Sequence, residues 1–209
     1  MKRAFDVVVA LIGLTILSPL LLLIMVVLLF SSGRPVFFLQ ERAGRLGKPF
    51  RIIKFRTMVQ DAYALSGGRI IGEDSQLITK SGRFLRRWSL DELPELVNVL
   101  RGEMSLVGPR PTVREQVAAY DRFQQRRLET RPGITGWAQI NGRMSLDWAH
   151  RIRLDVWYVE HWSLWLDLRI LVRTVGVVVR HVDVYYTGAS HSDSVTDDSE
   201  TASGFHGKT

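Results

Sequence analysis

The sequence predicts a mainly helical α+β membrane protein, and three features support this prediction. Residues 7–30 are almost wholly apolar and carry no charge. Two short segments with the composition of β-strands follow, and the turn between them contains Gly44 and Gly47. Beyond them, apolar residues recur at helical spacing up to about residue 182.

The apolar run is long enough to cross a bilayer, since a helix rises about 1.5 Å per residue and a hydrocarbon core is about 30 Å thick. A cleaved signal peptide would share the basic start at Lys2 and Arg3. However, the run is long and lacks a small-residue cleavage site before Arg34, which argues against a signal peptide. A straight spanning helix is the default interpretation at this length.

Ser18 and Pro19 lie at the centre of the run and favour a second interpretation. Proline removes a backbone donor and clashes with the preceding turn, so the run is predicted to break into two arms, each about half a hydrocarbon core long. Basic residues flank both ends, and the positive-inside rule draws both to the cytoplasmic face. A re-entrant helix satisfies that pull. Because proline kinks also occur in spanning helices, the residues alone leave both paths open.

The segments 35–42 and 49–58 are predicted to form a small β-hairpin around the turn 43–48. The stretch 58–80 that follows is polar and contains glycines, so it is predicted to be a mobile excursion from the fold. A helix is then predicted from Ser89 to about Leu100. Its buried stripe at helical spacing would be formed by Leu93, Leu96, Val97 and Leu100.

Three amphipathic helices are predicted over about 112–130, 146–160 and 163–182. Their apolar stripes, in that order, are Val113, Val117, Tyr120 and Leu128; Trp148, Ile152, Val156 and Val159; and Leu164, Leu168, Leu171, Val175 and Val178. The residues that the first helix is expected to expose are Arg122, Arg126 and Arg127. Trp157, Trp162 and Trp165 belong either to the core or to a belt at lipid headgroup level.

Charge and composition restrict the chemistry. Lys and Arg outnumber Asp and Glu by 28 to 21, a net charge of +7 that suits anionic partners. The absence of cysteine excludes a disulfide, a thiolate nucleophile and a cysteine-based zinc site. The five histidines form no H-x-x-x-H pair, and the sequence contains no G-x-G-x-x-G, Walker or G-x-S-x-G motif. The common nucleotide-binding folds and hydrolase elbows are therefore not indicated.

Asp91 and Glu92 form the acidic pair on which the functional interpretation depends. Ser89 and Glu92 have the spacing of a capping box, and acidic residues are favoured in a first helical turn. On these residues alone, a helix start is the stronger interpretation. The alternative is a catalytic pair, and the surrounding cations favour it.

Those cations are Lys54 on the second strand, Arg83, Arg86 and Arg87 just before the acidic pair, and Arg110 between two prolines. Arginine forks match phosphate oxygens, and flanking prolines stiffen the backbone that aims them. An exposed arginine taken singly is usually just solvated. Clustered around an acidic pair and next to a membrane anchor, these cations predict a site for a phosphorylated substrate.

Long segments of the chain resemble the monotopic phosphoglycosyl transferases, the bacterial sugar transferase family. They are, in order, KRAFDVVVALIGLTILSPL, FFLQERAGRLGKPFRIIKFRTM, ITKSGRFLRRWSLDELPELVNVLRGEMSLVGPRP, RPGITGWAQINGR and LDVWYVEHWSLWLDLRIL. The resemblance extends from Lys2 to about Val179, and the chain is similar to the minimal form of the family. It departs from the family pattern in GEMS, where GDMS is usual, and in the bulky Trp88.

The resemblance implies a re-entrant enzyme that moves a sugar-1-phosphate from a UDP-sugar to a polyprenyl phosphate, undecaprenyl phosphate being the expected acceptor, and releases UMP. By analogy Asp91 is the nucleophile, and Asp91 and Glu92 hold Mg²⁺. The residues that would bind substrate are Lys54, Arg86, Arg110 and, by a weaker analogy, Arg143. The helix-breaking pair of the family falls on Ser18 and Pro19.

The expected organisation is a re-entrant membrane helix over 1–33, a cytoplasmic catalytic domain with amphipathic interfacial helices over 34–186, and a disordered tail over 187–209, which is rich in polar residues. The resemblance places the chain at the cytoplasmic face of a bacterial inner membrane, in its inner leaflet. A homodimer or other glycosyltransferases of the same pathway are the expected protein partners. The rival hypothesis is a non-enzymatic, basic peripheral module that binds anionic lipid. The net charge alone also suits nucleic acid, but a membrane-embedded N-terminus argues against that partner.

Overall fold

A computed structural model describes residues 1–65, 75–142 and 145–180 and has the predicted mainly helical α+β architecture. The predicted tail over 187–209 and Arg143 lie outside the described residues. The helices are α1 (Lys2–Ser32), α2 (Ala62–Leu65), α3 (Lys80–Arg87), α4 (Glu95–Arg101), α5 (Arg114–Ala118), α6 (Arg122–Gln125), α7 (Trp137–Ile140), α8 (Trp148–Glu160) and α9 (Leu164–Val179). The strands are β1 (Phe37–Ala43), β2 (Pro49–Phe55), β3 (Ser105–Val107) and β4 (Gly133–Thr135).

The apolar run forms α1, which continues through Pro19 rather than ending there. Proline has no N–H, so the Thr15 carbonyl one turn earlier loses its helical donor. The Ser18 hydroxyl donates to that carbonyl at 2.8 Å and replaces the missing bond. The predicted interruption at Ser18 and Pro19 is therefore absent from the helix, and its path relative to a membrane stays a prediction. Within the described residues, α1 is the helix long and apolar enough to cross a membrane.

The N-terminal end of α1 is anchored by buried charges. Lys2 pairs with the fully buried Asp167 of α9 at 2.6 Å. Asp6 is buried as well, and it accepts hydrogen bonds from the Ser105 hydroxyl at 2.8 Å and the Leu106 N–H at 3.2 Å. These contacts fix the start of α1 to β3 and α9.

The C-terminal end of α1 is held by Arg56, which follows β2. Its guanidinium donates to the carbonyls of Gly33 at 2.8 Å and Arg34 at 3.0 Å, and also to that of Ser32. These carbonyls have no partner inside the helix, so the arginine caps them. Both ends of α1 therefore contact the part of the chain that follows residue 34.

The predicted hairpin is present. β1 and β2 pair antiparallel, with Phe37 opposite Phe55 and Ala43 opposite Pro49. The Asn98 side chain of α4 joins β2 to that helix, because it accepts from the Ile53 N–H at 3.0 Å and donates to the Arg51 carbonyl at 2.7 Å. This junction places the end of β2 beside the acidic pair.

The predicted helix over 89–100 is wrong in its first half. The pattern missed α3, and after α3 the chain turns sharply with Ser89 in the left-handed region, at φ 53°. Leu90–Glu92 forms a single 3-10 turn, and α4 begins only at Glu95. Ser89 makes no side-chain capping bond to this turn, so the predicted capping box with Glu92 is wrong as well.

The region 112–130 is not one helix. Asp121 starts a new helix, α6, through a capping box with Gln124, so the chain turns after α5. Arg127 was predicted to be exposed, but it is buried in a 3-10 turn and pairs with the buried Asp155 of α8. The prediction failed because this arginine has a partner on a distant element.

The two C-terminal helices are confirmed as α8 and α9, with Asp147 and Ser163 as their N-caps. In α8, Ile152 and Val156 are buried as predicted. The stripe of α9 is rotated: Leu166, Asp167 and Ile170 are buried, whereas the predicted core residues Leu164, Leu168 and Val175 are exposed. The cause is Asp167, whose hydrogen bonds to interior groups turn it inward.

The short strands β3 and β4 form a parallel pair that the sequence did not predict. They approach so closely at Gly108 and Gly133 that a Cβ on Gly133 would lie 2.1 Å from the Gly108 nitrogen. This pair lies against α1, α4 and α9 in the main core and fixes the start of the loop that carries Arg110.

Candidate active site

The acidic turn lies between α3 and α4, at the end of β2, and it brings three predicted site residues together. Lys54 donates to Glu92 Oε1 at 2.7 Å, and Arg110 donates to the same oxygen at 2.6 Å. Glu92 is thus held between two cations. Burial alone would raise its pKa, but the Arg110 guanidinium and the Lys54 ammonium hold the pKa of this carboxyl far below its usual range.

Asp91 is buried, yet its surroundings differ from those of Glu92. In the part of the chain that the structure describes, no hydrogen bond or ion pair joins its carboxylate to another side chain. Burial and the neighbouring Glu92 raise the pKa of Asp91, and Lys54, Arg86 and Arg110 oppose that shift. The expected helix N-terminus beneath Asp91 is absent, so nearby cations rather than a helix dipole favour its ionised form.

Glu95, the first residue of α4, is a member of the cluster that the sequence did not predict. It is 1% exposed, and its Oε1 lies 3.1 Å from Lys54 Nζ. Burial raises its pKa to about 7 against the opposing effect of Lys54. The sequence offered one signal, because residues four apart on a helix lie on the same face and Glu95 follows Asp91 by four. That spacing is too common in helices to identify a site residue. Glu95 lets Lys54 contact two carboxyl groups at once.

Arg86 reaches the cluster from α3. Its Nε donates to the hydroxyl of Thr57 at 2.9 Å, and its charge lowers the pKa of Asp91. Thr57 is buried and was not predicted as a site residue. No sequence pattern indicated it, since the contact depends on how α3 packs against the end of β2.

Arg110 is supported from behind by a buried network. Arg127 donates to the Arg110 carbonyl at 2.9 Å and pairs with Asp155. It also donates to the Tyr120 hydroxyl at 2.6 Å. The loop that carries Arg110 is thus fixed to α8, while the Arg110 side chain faces Glu92.

The acidic pair suits Mg²⁺ only with help from a substrate. No group of three or more His, Asp or Glu side chains within residues 1–65, 75–142 and 145–180 is placed to hold a metal. Mg²⁺ usually binds one or two carboxylates together with substrate phosphates and water. The unpaired carboxylate of Asp91 and the Oε2 atom of Glu92, which lies 3.5 Å from Arg110, fit that arrangement.

Together these residues form a buried carboxylate surrounded by three cations. A carboxylate of raised pKa is a competent nucleophile once it is ionised, and arginine and lysine side chains can neutralise the charge of a phosphorylated substrate. The arrangement can therefore accommodate a phosphorylated group beside the Asp91 carboxylate. Of the predicted site residues, only Arg143 cannot be placed in this arrangement, because it lies outside the described residues.

A family model described as bacterial sugar transferase matches residues 1–181. The chain belongs to the bacterial sugar transferase family. The uncharacterized sugar transferase EpsL of Bacillus subtilis (strain 168) is 45% identical over 98% of this chain and 97% of that protein. The exopolysaccharide production protein ExoY of Rhizobium meliloti (strain 1021) is 41% identical over 85% of this chain and 84% of that protein.

A third relative carries a more specific name. The undecaprenyl-phosphate galactose phosphotransferase of Salmonella typhimurium is 39% identical over 88% of this chain, which spans 42% of that longer protein. Membership of the bacterial sugar transferase family makes the chain a transferase. The acidic turn is accordingly the candidate active site of this sugar transferase.

Proposed function

We propose that this sugar transferase moves a sugar-1-phosphate from a UDP-sugar to a polyprenyl phosphate and releases UMP. The observation that supports the proposal most directly is Asp91, a buried carboxylate that lacks a partner among the described residues and lies beside Lys54, Arg86 and Arg110. An unpaired buried charge is costly, so a substrate group is the expected compensation. The names of the relatives favour undecaprenyl phosphate as the acceptor.

The proposed reaction has two steps. A carboxylate oxygen of Asp91 attacks the β-phosphorus of the UDP-sugar, and the bond from that phosphorus to the bridging oxygen breaks, so UMP leaves with that oxygen. A phosphate oxygen of the polyprenyl phosphate then attacks the aspartyl phosphate. The acyl phosphate bond breaks, Asp91 is restored as a carboxylate, and a polyprenyl diphosphate sugar is formed.

The cations stabilise the charge that moves during these steps. Arg86 and Arg110 would contact the diphosphate oxygens, and Lys54 would balance the charge of Glu92. Asp91 and Glu92 would hold Mg²⁺, which would supply positive charge next to the phosphate oxygens. The product would be the first lipid-linked intermediate of a glycan, in keeping with a relative named for exopolysaccharide production.

Membrane attachment from one side is part of the proposal. α1 has 31 residues, roughly 46 Å at helical rise, yet both of its ends contact the chain that follows residue 34. A helix that crossed the hydrocarbon core would carry one end about 30 Å away from that part of the chain. The contacts favour a re-entrant or surface-lying α1, with the active site at the cytoplasmic face of the bacterial inner membrane.

The exposed face of α9 supports the same arrangement. Five of its exposed apolar residues recur at i, i+3, i+7, i+10 and i+14, the spacing of one helical stripe. They are Trp165, Leu168, Val172, Val175 and Val179. An interfacial helix presents such a stripe to the lipid, and tryptophan is favoured at headgroup level. A homodimer or a pathway glycosyltransferase as a protein partner stays a prediction.

The reaction is tested by incubating the purified enzyme with undecaprenyl phosphate and, separately, with each member of a panel of UDP-sugars. We expect UMP release over many turnovers with at least one UDP-sugar, and at most one equivalent of UMP when the acceptor is omitted. A peripheral lipid-binding module would bind anionic vesicles and release no UMP with any donor. That result would contradict the proposal.

The topology is tested with single cysteines, since the chain has none of its own. Ala4→Cys and Leu46→Cys both place the thiol at exposed positions. We expect an impermeant thiol reagent to spare both in intact cells and to label both in inside-out vesicles. Labelling of Ala4→Cys in intact cells would show that α1 spans the membrane.

A further inference from the structure

The hydroxyl of Thr57 is hydrogen-bonded to the site residue Arg86. Thr57 lies two residues beyond β2 and is 5% exposed. Its Oγ1 accepts a hydrogen bond from Arg86 Nε at 2.9 Å. Among the described residues, this is the one hydrogen bond made by the Thr57 side chain. Within the described residues, no hydrogen bond joins Thr57 to the acidic pair.

The contact follows from the packing of α3 on Thr57. A Cβ at Gly82 would lie 2.0 Å from the Thr57 carbonyl oxygen, so only glycine lets the first turn of α3 come this close. The Thr79 N–H also donates to that carbonyl at 3.1 Å. Arg86 is one helical turn after Gly82, on the same face of α3. The turn that fixes the backbone of Thr57 therefore also delivers the Arg86 side chain to its hydroxyl.

The hydrogen bond uses one particular nitrogen of Arg86. An arginine carries its donors in a rigid, planar fork, so fixing Nε orients the plane of the whole guanidinium. The two terminal nitrogens then remain for a bidentate contact with phosphate oxygens. Arg86 is half-buried, and its charge acts on Asp91. A freely rotating arginine would lose conformational entropy each time it bound the substrate. The hydrogen bond to the Thr57 hydroxyl reduces this entropic cost, because it orders the side chain beforehand.

We infer that Thr57 is a positioning residue, which orients the Arg86 guanidinium toward the phosphoryl group that Asp91 attacks. The inference rests on the proposed function, because it takes the phosphoryl group as the partner of Arg86. It adds to that function a residue that affects the reaction by orienting Arg86. The proposed reaction and the positioning role of Thr57 can fail separately.

The test is a double-mutant cycle of Thr57→Val and Arg86→Gln, measured as UMP release. Thr57→Val keeps the shape of the side chain and removes the acceptor. We expect kcat/KM to fall roughly 10-fold, as for the loss of a hydrogen bond to a charged group. Thr57→Ser keeps the hydroxyl and should stay within about 3-fold of the wild type. In the Arg86→Gln background, Thr57→Val should cause no further loss.

Controls separate positioning from folding. Lys80→Gln removes an exposed cation from the same helix and should leave kcat/KM unchanged. Thermal midpoints are recorded for every variant, and if Thr57→Val melts early, Thr57→Ala replaces it in the same cycle. An equal loss in both Arg86 backgrounds, or full activity without the hydroxyl, would overturn the inference. If the wild type releases no UMP from any UDP-sugar, the proposed function fails instead.

Discussion

Two regions of the molecule treat an unpartnered polar group in opposite ways. In the middle of α1, Pro19 deprives the Thr15 carbonyl of its donor, and the adjacent Ser18 hydroxyl supplies another at 2.8 Å. In the acidic turn, Asp91 is buried and the described side chains give it no hydrogen bond or ion pair, although three cations lie nearby. The chain therefore supplies a hydrogen-bond partner in the first region, and the described residues supply none in the second.

The difference indicates where a ligand acts. A buried polar group without a partner costs of the order of 1–3 kcal/mol, and more when it is charged. The exposed Thr15 carbonyl receives a donor even next to a proline, and the buried Arg127 pairs with Asp155, although Arg127 Nε and Asp155 Oδ1 make no hydrogen bond. Asp91 lacks even an ion pair of this kind among the described residues, and we propose that it contacts a substrate. Four predictions test this comparison, from the largest expected effect to the smallest.

The largest effect is expected from Asp91→Asn. The amide keeps the shape of the side chain but cannot readily form an acyl phosphate, so UMP release should fall by roughly 10³-fold or more. The wild type, given UDP-sugar without acceptor, should retain a sugar-phosphate on the peptide that contains Asp91. Mass spectrometry of the digested protein detects this adduct.

Asp121→Asn is the matched control for this substitution. Asp121 is an exposed N-cap, and asparagine caps equally well, so both activity and thermal midpoint should be preserved. A folded Asp91→Asn enzyme that turns over near the wild-type rate would show that the unpaired carboxylate has no chemical role.

Removal of divalent cations should have the next largest effect. The described residues provide the oxygens of Asp91 and Glu92 but no third ligand for a protein cage, so any Mg²⁺ there depends on the substrate phosphates. Excess chelator should reduce UMP release by roughly 10²-fold, and Mg²⁺ or Mn²⁺ should restore it. Full activity in chelator, with no metal detected in the protein by elemental analysis, would contradict this prediction. The lysine and arginine side chains would then be the cations of the site.

The sequence predicted the parts of this site that lie in ordered motifs and missed the parts created by packing. Lys54, Glu92 and Arg110 come together as expected, because the hairpin and the loop after β3 converge on one turn. Thr57 and Glu95 were missed, since their roles depend on the approach of α3 at Gly82 and on the ion pair with Lys54. Local spacing carries no information about either contact.

The same limit explains the errors in the fold. The spacing of Ser89 and Glu92 matched a capping box, but the end of α3 forces Ser89 into a left-handed conformation that a cap does not adopt. The predicted apolar stripe of α9 did not include Asp167, yet Lys2 from the other end of the chain makes its burial favourable. In each case a tertiary contact overrode a local preference.

A smaller effect is expected from Glu95→Gln, as a change in the pH dependence of stability. The folded pKa of Glu95 is about 7, raised mainly by burial from an ordinary value of 4.5. Its contribution to stability is thus fully present below pH 4.5 and is lost as the pH rises through about 7. Glutamine is neutral throughout and avoids this loss.

Thermal midpoints of the two proteins should be similar at pH 5 and should differ at pH 8.5, where the variant is expected to be more stable by about 3 kcal/mol. Glu115→Gln, which removes an exposed carboxylate from α5, is the matched control. If Glu95→Gln is the less stable protein at pH 8.5, then the ion pair with Lys54 outweighs the cost of burial. The chain would then compensate the buried carboxylate of Glu95 itself, as it does for the Thr15 carbonyl of α1.

The smallest effect is expected in α1 and tests the other half of the comparison. Ser18→Ala leaves the Thr15 carbonyl without a donor and should destabilise the helix by about 1 kcal/mol, seen as a lower thermal midpoint in lipid nanodiscs. Pro19→Ala restores a main-chain N–H at the right position. In that background Ser18→Ala should cost almost nothing.

Thr15→Ala is the control in the same helix. Its hydroxyl donates to the Leu11 carbonyl at 2.9 Å, but that carbonyl already accepts the helical N–H of residue 15, so the loss should be small. An equal cost for Ser18→Ala with and without Pro19 would mean that the hydroxyl does not replace the missing donor. The Thr15 carbonyl would then be unsatisfied by the chain, like Asp91, and the centre of α1 would itself become a candidate contact for a lipid or substrate group.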